Sequence, residues 1–316
     1  MTLFLLALGL AVIMGFTTQR GSTCAYLAVR EWVADHAPDR LLSLFETACW
    51  ILAVTTVLSW WDWQVHWPAD HPFALGTVMG GIVIGVGAYV NRACVIGTLA
   101  QIGNGHWHFC WTVVGYFVAS WLWVMVNPYP LTSGSPAIVA SHSPSPGFMW
   151  AYAPLSPLAM IYLLRWTWRH RLTRIVKPGS WPIHRATVIV GLTFSVVVVT
   201  YGPWSYTDWL SDLARGASGL RDPRLLLTLA LGLGLLIGGA TAKRLQWPYF
   251  NGRLSVRCAM GGALMGLGGA WVPGGNDSLL LVGLPCIRPS ALIAILLMLM
   301  TLYICTRWEA PSSRTA

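Results

Sequence analysis

The sequence predicts an all-α, polytopic membrane helical bundle of about nine spans, with an inverted-topology internal repeat and short re-entrant helices. Three observations carry this reading. First, 55% of the 316 residues are hydrophobic and only 10% charged, with a mean hydropathy of +0.59; a soluble domain of that balance would expose large apolar patches to water. Second, apolar runs of roughly 17 to 20 residues recur, the length a helix needs to cross hydrocarbon, while the alternating segments of a barrel are not seen. Third, a glycine-ruled stretch from Gly80 to Gly105 returns from Gly261 to Pro285. At a constant offset of 181, Gly80, Gly81, Gly85 and Gly87 fall on Gly261, Gly262, Gly266 and Gly268. In both copies the apolar span stops early and breaks into polar residues, which is the sequence pointer to a binding site in transporters.

Taken in order, Thr2 to Phe16 is a short first span, since it lacks the basic n-region and the A-x-A site of a removable signal peptide. Further spans are expected at about 41 to 59, 73 to 91, 109 to 126, 148 to 164, 186 to 202, 224 to 241, 258 to 272 and 290 to 306. Residues 1–126 form the first membrane half, 127–147 an outer Pro- and Ser-rich linker, 148–306 the second half and 307–316 a cytoplasmic tail. Basic residues orient the chain. With the N-terminus outside and the C-terminus cytoplasmic, Arg20, Arg30, Arg40, Arg92, the cluster from Arg165 to Arg185, Lys243, Arg244, Arg253, Arg257, Arg307 and Arg314 all fall in cytoplasmic loops. Only Arg215, Arg221, Arg224 and Arg288 remain outside. In this threading the third span runs inward and the eighth outward, so the two glycine-rich copies are antiparallel and their irregular backbone meets near the midplane. Such backbone must be buried in protein or line a cavity.

The net charge of +9 reflects that topology. Eighteen of the 20 basic residues are Arg scattered among loops, with no basic domain for nucleic acid, and the stretch from Arg165 to Arg185 suits the headgroups of the lipid bilayer. Trp60, Trp61, Trp63 and Trp67 suit an interfacial belt. The seven cysteines, an odd number lying mostly in or beside apolar runs, are read as free thiols.

Two of those thiols stand apart. Cys94, in NRACVIG, and Cys24, in GFTTQRGSTC, each sit where a span breaks before a shorter helical piece; Cys49, Cys110, Cys258 and Cys305 read as packing, with Cys286 intermediate. Gly81 with Gly85, and Gly262 with Gly266, are G-x-x-x-G pairs that let helices approach closely. Half-helix N-termini at the breaks would aim bare N–H groups inward and attract an anion. Gln19, Asn91, Gly97, Asn276 and Ser278 complete the candidate pathway, with Arg20 and Arg92 as counter-charges that snorkelling explains equally well. Asp277 reads as a cap or as a partner of Arg288. No C-x-x-C pair, nucleotide loop or cofactor signature occurs, and His106 and His108 beside the lone Cys94 make a poor metal site. No metal and no cofactor are expected. A membrane-embedded thiol redox or sulfurtransferase component that forms a persulfide on Cys24 or Cys94 is the alternative class, and a structural or partner-binding subunit a third.

GFTTQRGSTC, the GG-x3-G-x-G-A segment with NRACVIGTLAQIGNG, and the second GG-x3-G-x-G resemble the YeeE/YedE-type sulfur-transport membrane proteins. The resemblance implies a compact inverted-repeat bundle that imports thiosulfate across a bacterial inner membrane, and cysteines at short-helix ends that hand the anion inward through S–H···S hydrogen bonds. By motif position Cys24 and Cys94 match two of three such cysteines; Gly275 stands at the third, 181 residues after Cys94. A different small sulfur anion, or a member without transport, therefore stays open. The resemblance also suggests a small cytoplasmic sulfur-carrier protein as the recipient.

Overall fold

The computed structural model describes residues 2–59, 75–127, 165, 181–245, 251–272 and 274–309. The expected span at 148–164, nearly all of the outer linker, the four clustered tryptophans, most of the basic stretch and most of the tail lie outside these residues. The described residues are helical, with no strand among them. In the first half these are α1 (Thr2–Gly21), α2 (Ala25–Asp35), α3 (Asp39–Ser59), α4 (Leu75–Asn91), α5 (Val95–Gly103) and α6 (Cys110–Val126), the last entered through a 3₁₀ turn at Trp107–Phe109. The second half holds α7 (Ile183–Thr200), α8 (Tyr206–Ala214), α9 (Pro223–Thr241), α10 (Gly252–Trp271), α11 (Asn276–Ser278) running on as a π turn at Leu279–Gly283, and α12 (Pro289–Glu309).

Among the described residues, seven helical segments, beginning at Thr2, Asp39, Leu75, Trp107, Ile183, Pro223 and Pro289, are long and apolar enough to cross a membrane. The chain is a multi-pass membrane protein. α10 is 20 residues long but not among the seven, because its glycines and two arginines dilute its hydropathy. α1 runs past the expected end at Phe16 to Gly21. The polar residues there do not stop it, since Thr17 bonds back to the Ile13 carbonyl at 2.7 Å and Thr17, Thr18 and Gln19 are buried by neighbouring helices.

The long helices form two groups. α1 packs on α7 and α9, and α3 on α7; α4 packs on α10 and α12, and α6 on α10. The short helices bridge the groups: α2 touches α3 and α12, α5 touches α9 and α6, α8 touches α9 and α6, and the π turn touches α3 and α12. Exchanging α1–α6 for α7–α12 maps these contacts onto one another, so that α1 on α9 becomes α7 on α3 and α2 on α12 becomes α8 on α6. At the offset read from four glycines, helix starts and ends in the two halves agree to within four residues.

Glycine sets the closest crossings, as the G-x-x-x-G pairs predict. Gly81 and Gly85 lie on the α12 backbone at Ala294 and Met298, and Gly262 and Gly266 on the α6 backbone at Thr112 and Tyr116. Gly234 of α9 faces the backbone of Val12 and Phe16 in α1 with no room for a Cβ, whereas nothing lies within 4 Å of a Cβ at Gly232. Gly234→Val is expected to cost more than about 3 kcal/mol, because a backbone neighbour cannot rotate away. Size-exclusion profiles of the detergent-solubilised protein would show the loss, with Gly232→Val retaining the parent peak. Outward faces are apolar: Leu226, Leu229, Leu233 and Ile237 form an exposed stripe on α9 at helical spacing.

At the start of α9 Asp222 caps the helix and binds Arg224, which also reaches Asp212 of α8 at 2.7 Å. The hydrogen bond from Arg224 holds the Asp222 carboxyl down to about 2.

Candidate functional site

The site is built at four breaks of one design. In each, a residue with left-handed backbone precedes an extended residue that starts a short helix. Ser22 (φ 51) leads to Cys24, Arg92 (φ 60) to Cys94, Gly202 (φ 123) to Ser205, and Gly274 (φ 109) to Gly275. Cys24, Cys94, Ser205 and Gly275 are thus the N-cap residues of α2, α5, α8 and α11. The first break is held from below by Arg40, whose guanidinium takes the Gly21 carbonyl at 3.2 Å and the Ser22 carbonyl at 2.5 Å while pairing with Glu31 at 2.8 Å. A cation suits those orphan carbonyls at a helix C-terminus.

The second break is held by Asn91. Its amide nitrogen donates to the Ala93 carbonyl and to Thr98 Oγ1, both at 2.9 Å, and its oxygen accepts from Thr112 Oγ1 at 2.7 Å. Asn91 is fully buried and both its amide hydrogens are taken. It shapes the turn that presents Cys94 rather than offering donors to a ligand.

The two cysteines come together. Cys94 Sγ accepts the backbone N–H of Gly97 and that of Ala25, each at 3.4 Å, so the N-termini of α5 and α2 converge on one sulfur. The Cys24 and Cys94 thiols are hydrogen-bonded to each other, and both are buried, at 3% and 1% exposure. A Cβ added to Gly97 would run into Cys24 Sγ and sit 3.1 Å from its Cβ, so only glycine leaves room for the second thiol.

The second half brings hydroxyls and carboxylates to the equivalent place. Gly275 N–H donates to Thr207 Oγ1 at 3.1 Å, and Thr207 Oγ1 donates to Asp277. Ser278 Oγ donates to Asp208 Oδ2 at 2.7 Å, so α8 and α11 clasp each other through two hydroxyl–carboxylate pairs. Asp277 pairs with Thr207 and not with Arg288, and the N-cap of α11 is Gly275 rather than the Asn-Asp-Ser run. The halves are joined where the Tyr206 hydroxyl donates to the Val95 carbonyl at 2.8 Å. Between them Asn276 is fully buried with its side chain against the Cys94 thiol, and neither its amide nitrogen nor its oxygen has a hydrogen-bond partner beyond that thiol.

Other expected pathway residues lie elsewhere. Gln19 donates to Asn104 Oδ1 at 2.6 Å, at the far end of α5 from Cys94. Arg20 stacks over Phe16 at 5.4 Å. Arg92 is exposed and pairs with Glu309 at 3.4 Å, which is the surface role that snorkelling implied.

A cavity of about 50 Å³ lies against the cluster, lined by Thr18, Thr23, Thr47, Ser205 and Asp277 among apolar side chains. Ile96 and Leu99 of α5 line it together with Asp277 and Leu280, their counterparts at the same offset.

The profile of the family described as sulphur transport matches residues 20–304. The chain belongs to this family, the YeeE/YedE proteins. Among curated proteins none matches it. Membership and the membrane helices together make it a sulfur transporter. The matched region of this family member takes in all four breaks. Sequence reasoning found the two cysteine breaks and α11 but missed α8 with Ser205, Thr207 and Asp208. The signal was present, since Cys24 shifted by the same 181 lands on Ser205.

Proposed function

We propose that this protein imports a small sulfur-containing anion, thiosulfate or a close relative, passing it between the Cys24–Cys94 thiol pair and the half-helix amides of α2 and α5. The observation that carries the reading is the double N–H approach to Cys94 Sγ from Ala25 and Gly97. Those donors are already aimed at a sulfur atom, in a dry site where they are worth more than in water. A soft terminal sulfur of the substrate takes over one of these bonds without being gripped, and weak contacts at several places favour passage over trapping. Asn276 offers an amide with no other partner, so an anion at Cys94 would meet a ready donor.

The chain is an inverted repeat of nine spans, residues 1–126 and 148–306. α2, α5, α8 and α11 with its π turn are re-entrant. The exchange of contacts between halves supports this arrangement, and the basic loops support an N-terminus outside and a C-terminus in the cytoplasm of a bacterial inner membrane. A small cytoplasmic sulfur-carrier protein receives the anion. Import of a dianion against an inside-negative potential costs about 4.6 kcal/mol per 100 mV, two charges at about 2.3 each.

The test is labelled-thiosulfate uptake by cells lacking their own sulfur-anion importers, with sulfite, sulfide and selenium anions as competitors. The parent chain is expected to import and Cys24→Ala to reduce uptake at equal membrane abundance. Gly97→Ala is expected to fold normally but push the Cys24 thiol off Cys94; overpacking of this kind costs about 1–3 kcal/mol, and uptake falls accordingly. Uptake indifferent to both changes would sink the thiol pathway.

A further inference from the structure

The second half of the site carries two carboxylates where the first half carries thiols and apolar side chains. Asp277 stands in the position of Ile96, and Asp208 in that of Leu27. Asp277 is 3% exposed and lines the cavity together with Ile96. Among the described residues neither carboxylate makes an ion pair, and Arg288, the nearest basic residue along the chain from Asp277, joins neither. Their partners are the Thr207 and Ser278 hydroxyls.

Two further polar groups point to a ligand beside this pair. Thr23 Oγ1, buried and on the same cavity, has no hydrogen-bond partner. Asn276, directly before Asp277, has no partner for its amide beyond the Cys94 thiol it lies against. An anion taking up those free groups would come to rest beside Asp277, and two negative charges in a water-poor site repel strongly. Helix N-termini offset part of that repulsion, since both carboxylates lie in the first turns of α8 and α11. They do not discharge it. The remaining way to seat the anion is to neutralise a carboxylate as it arrives.

We propose that Asp277 and Asp208 form a proton-binding site loaded together with the anion, so that the protein is a proton–anion symporter. This rests on the transport reading above. A carboxylate oxygen takes a proton from the outer side, the uncharged acid admits the anion to Cys94 and Asn276, and the proton leaves inward after the anion. Each proton carried cancels one of the charges that an inside-negative membrane opposes. The groups facing the pair are Tyr206 and Asp212 on α8 and Tyr116 on α6, and Cys94 adjoins Tyr206. Asp212 is engaged by Arg224 of α9, and Glu46 of α3 by His184 of α7 at 2.7 Å. Among the described residues that leaves Asp277, on the cavity, and Asp208, bonded to Ser278 beside it, as carboxylates held by hydroxyls and by no basic side chain.

The experiment uses the purified full chain in liposomes loaded with a pH-sensitive dye, labelled thiosulfate outside, and potassium with valinomycin to hold the potential at zero. Uptake is expected to acidify the lumen and to accelerate with external acid, by up to about tenfold per pH unit while proton binding is unsaturated. The double variant Asp208→Asn, Asp277→Asn is expected to lose both the acidification and the pH dependence. Parent uptake that neither acidifies the lumen nor responds to external pH would overturn the proposal, as would acidification that survives in the double variant. If the parent takes up no thiosulfate, the transport reading fails instead, and infrared spectroscopy decides the proton site. A carboxylic-acid carbonyl band that titrates in the parent and is missing from the double variant upholds it; its absence from the parent overturns it.

Discussion

Asn91→Leu is expected to unfold the second break and silence transport. The substitution keeps roughly the same volume but strands three buried groups at once: the Ala93 carbonyl and the Thr98 and Thr112 hydroxyls. A buried polar group left unpaired costs about 1–3 kcal/mol, so the sum is a large fraction of the 5–15 kcal/mol that holds a typical domain together. There is no room to rearrange, because α10 approaches Asn91 so closely at Gly261 that a Cβ there would lie 2.7 Å from the Asn91 Cβ. A thermal-stability series in detergent would show the midpoint falling well below that of the parent, with uptake lost in step. An unchanged midpoint would mean that the Arg92 turn is held by something other than this amide.

Gly275→Cys is expected to fail by itself and to recover with Thr207→Gly. The position matches the third cysteine of the resembling importers, yet a Cβ on Gly275 would meet Thr207 Oγ1, Cβ and Cγ2 at 2.5–2.8 Å. The new side chain would displace the residue that accepts the Gly275 N–H and holds Asp277. Restoring the thiol without clearing Thr207 therefore breaks the clasp between α8 and α11, and uptake of thiosulfate drops by about tenfold or more, the equivalent of 1.4 kcal/mol. The double variant exchanges the clasp for a third thiol. Recovery in the double variant, with the single one silent, would show that Gly275 and Thr207 changed as a unit.

The long helices were legible because each is an apolar run bounded by polar or glycine-rich breaks, and α3, α4, α6, α9 and α12 begin within about two residues of where those runs begin. α8 was not legible. Its nine residues mix Asp208, Ser211 and Asp212 with Trp209 and Leu210, so hydropathy reads it as a loop, and only burial between α6 and α9 makes it a helix. The thiol pair was half legible: each cysteine stood at a break, but nothing in the spacing of Cys24 and Cys94 says that Ala25 and Gly97 direct their N–H groups to one sulfur. Asn91 shows the opposite error. A polar side chain at a break looks like a ligand donor, whereas the chain spends it on its own turn.

The most direct measurement of the central claim is thiosulfate uptake by liposomes that contain only the purified protein, comparing the parent with Cys94→Ala and Asn276→Leu at equal reconstituted amounts. The account predicts saturable uptake by the parent, none above empty liposomes for Cys94→Ala, and a marked loss for Asn276→Leu. Parent-level uptake by Cys94→Ala would contradict it.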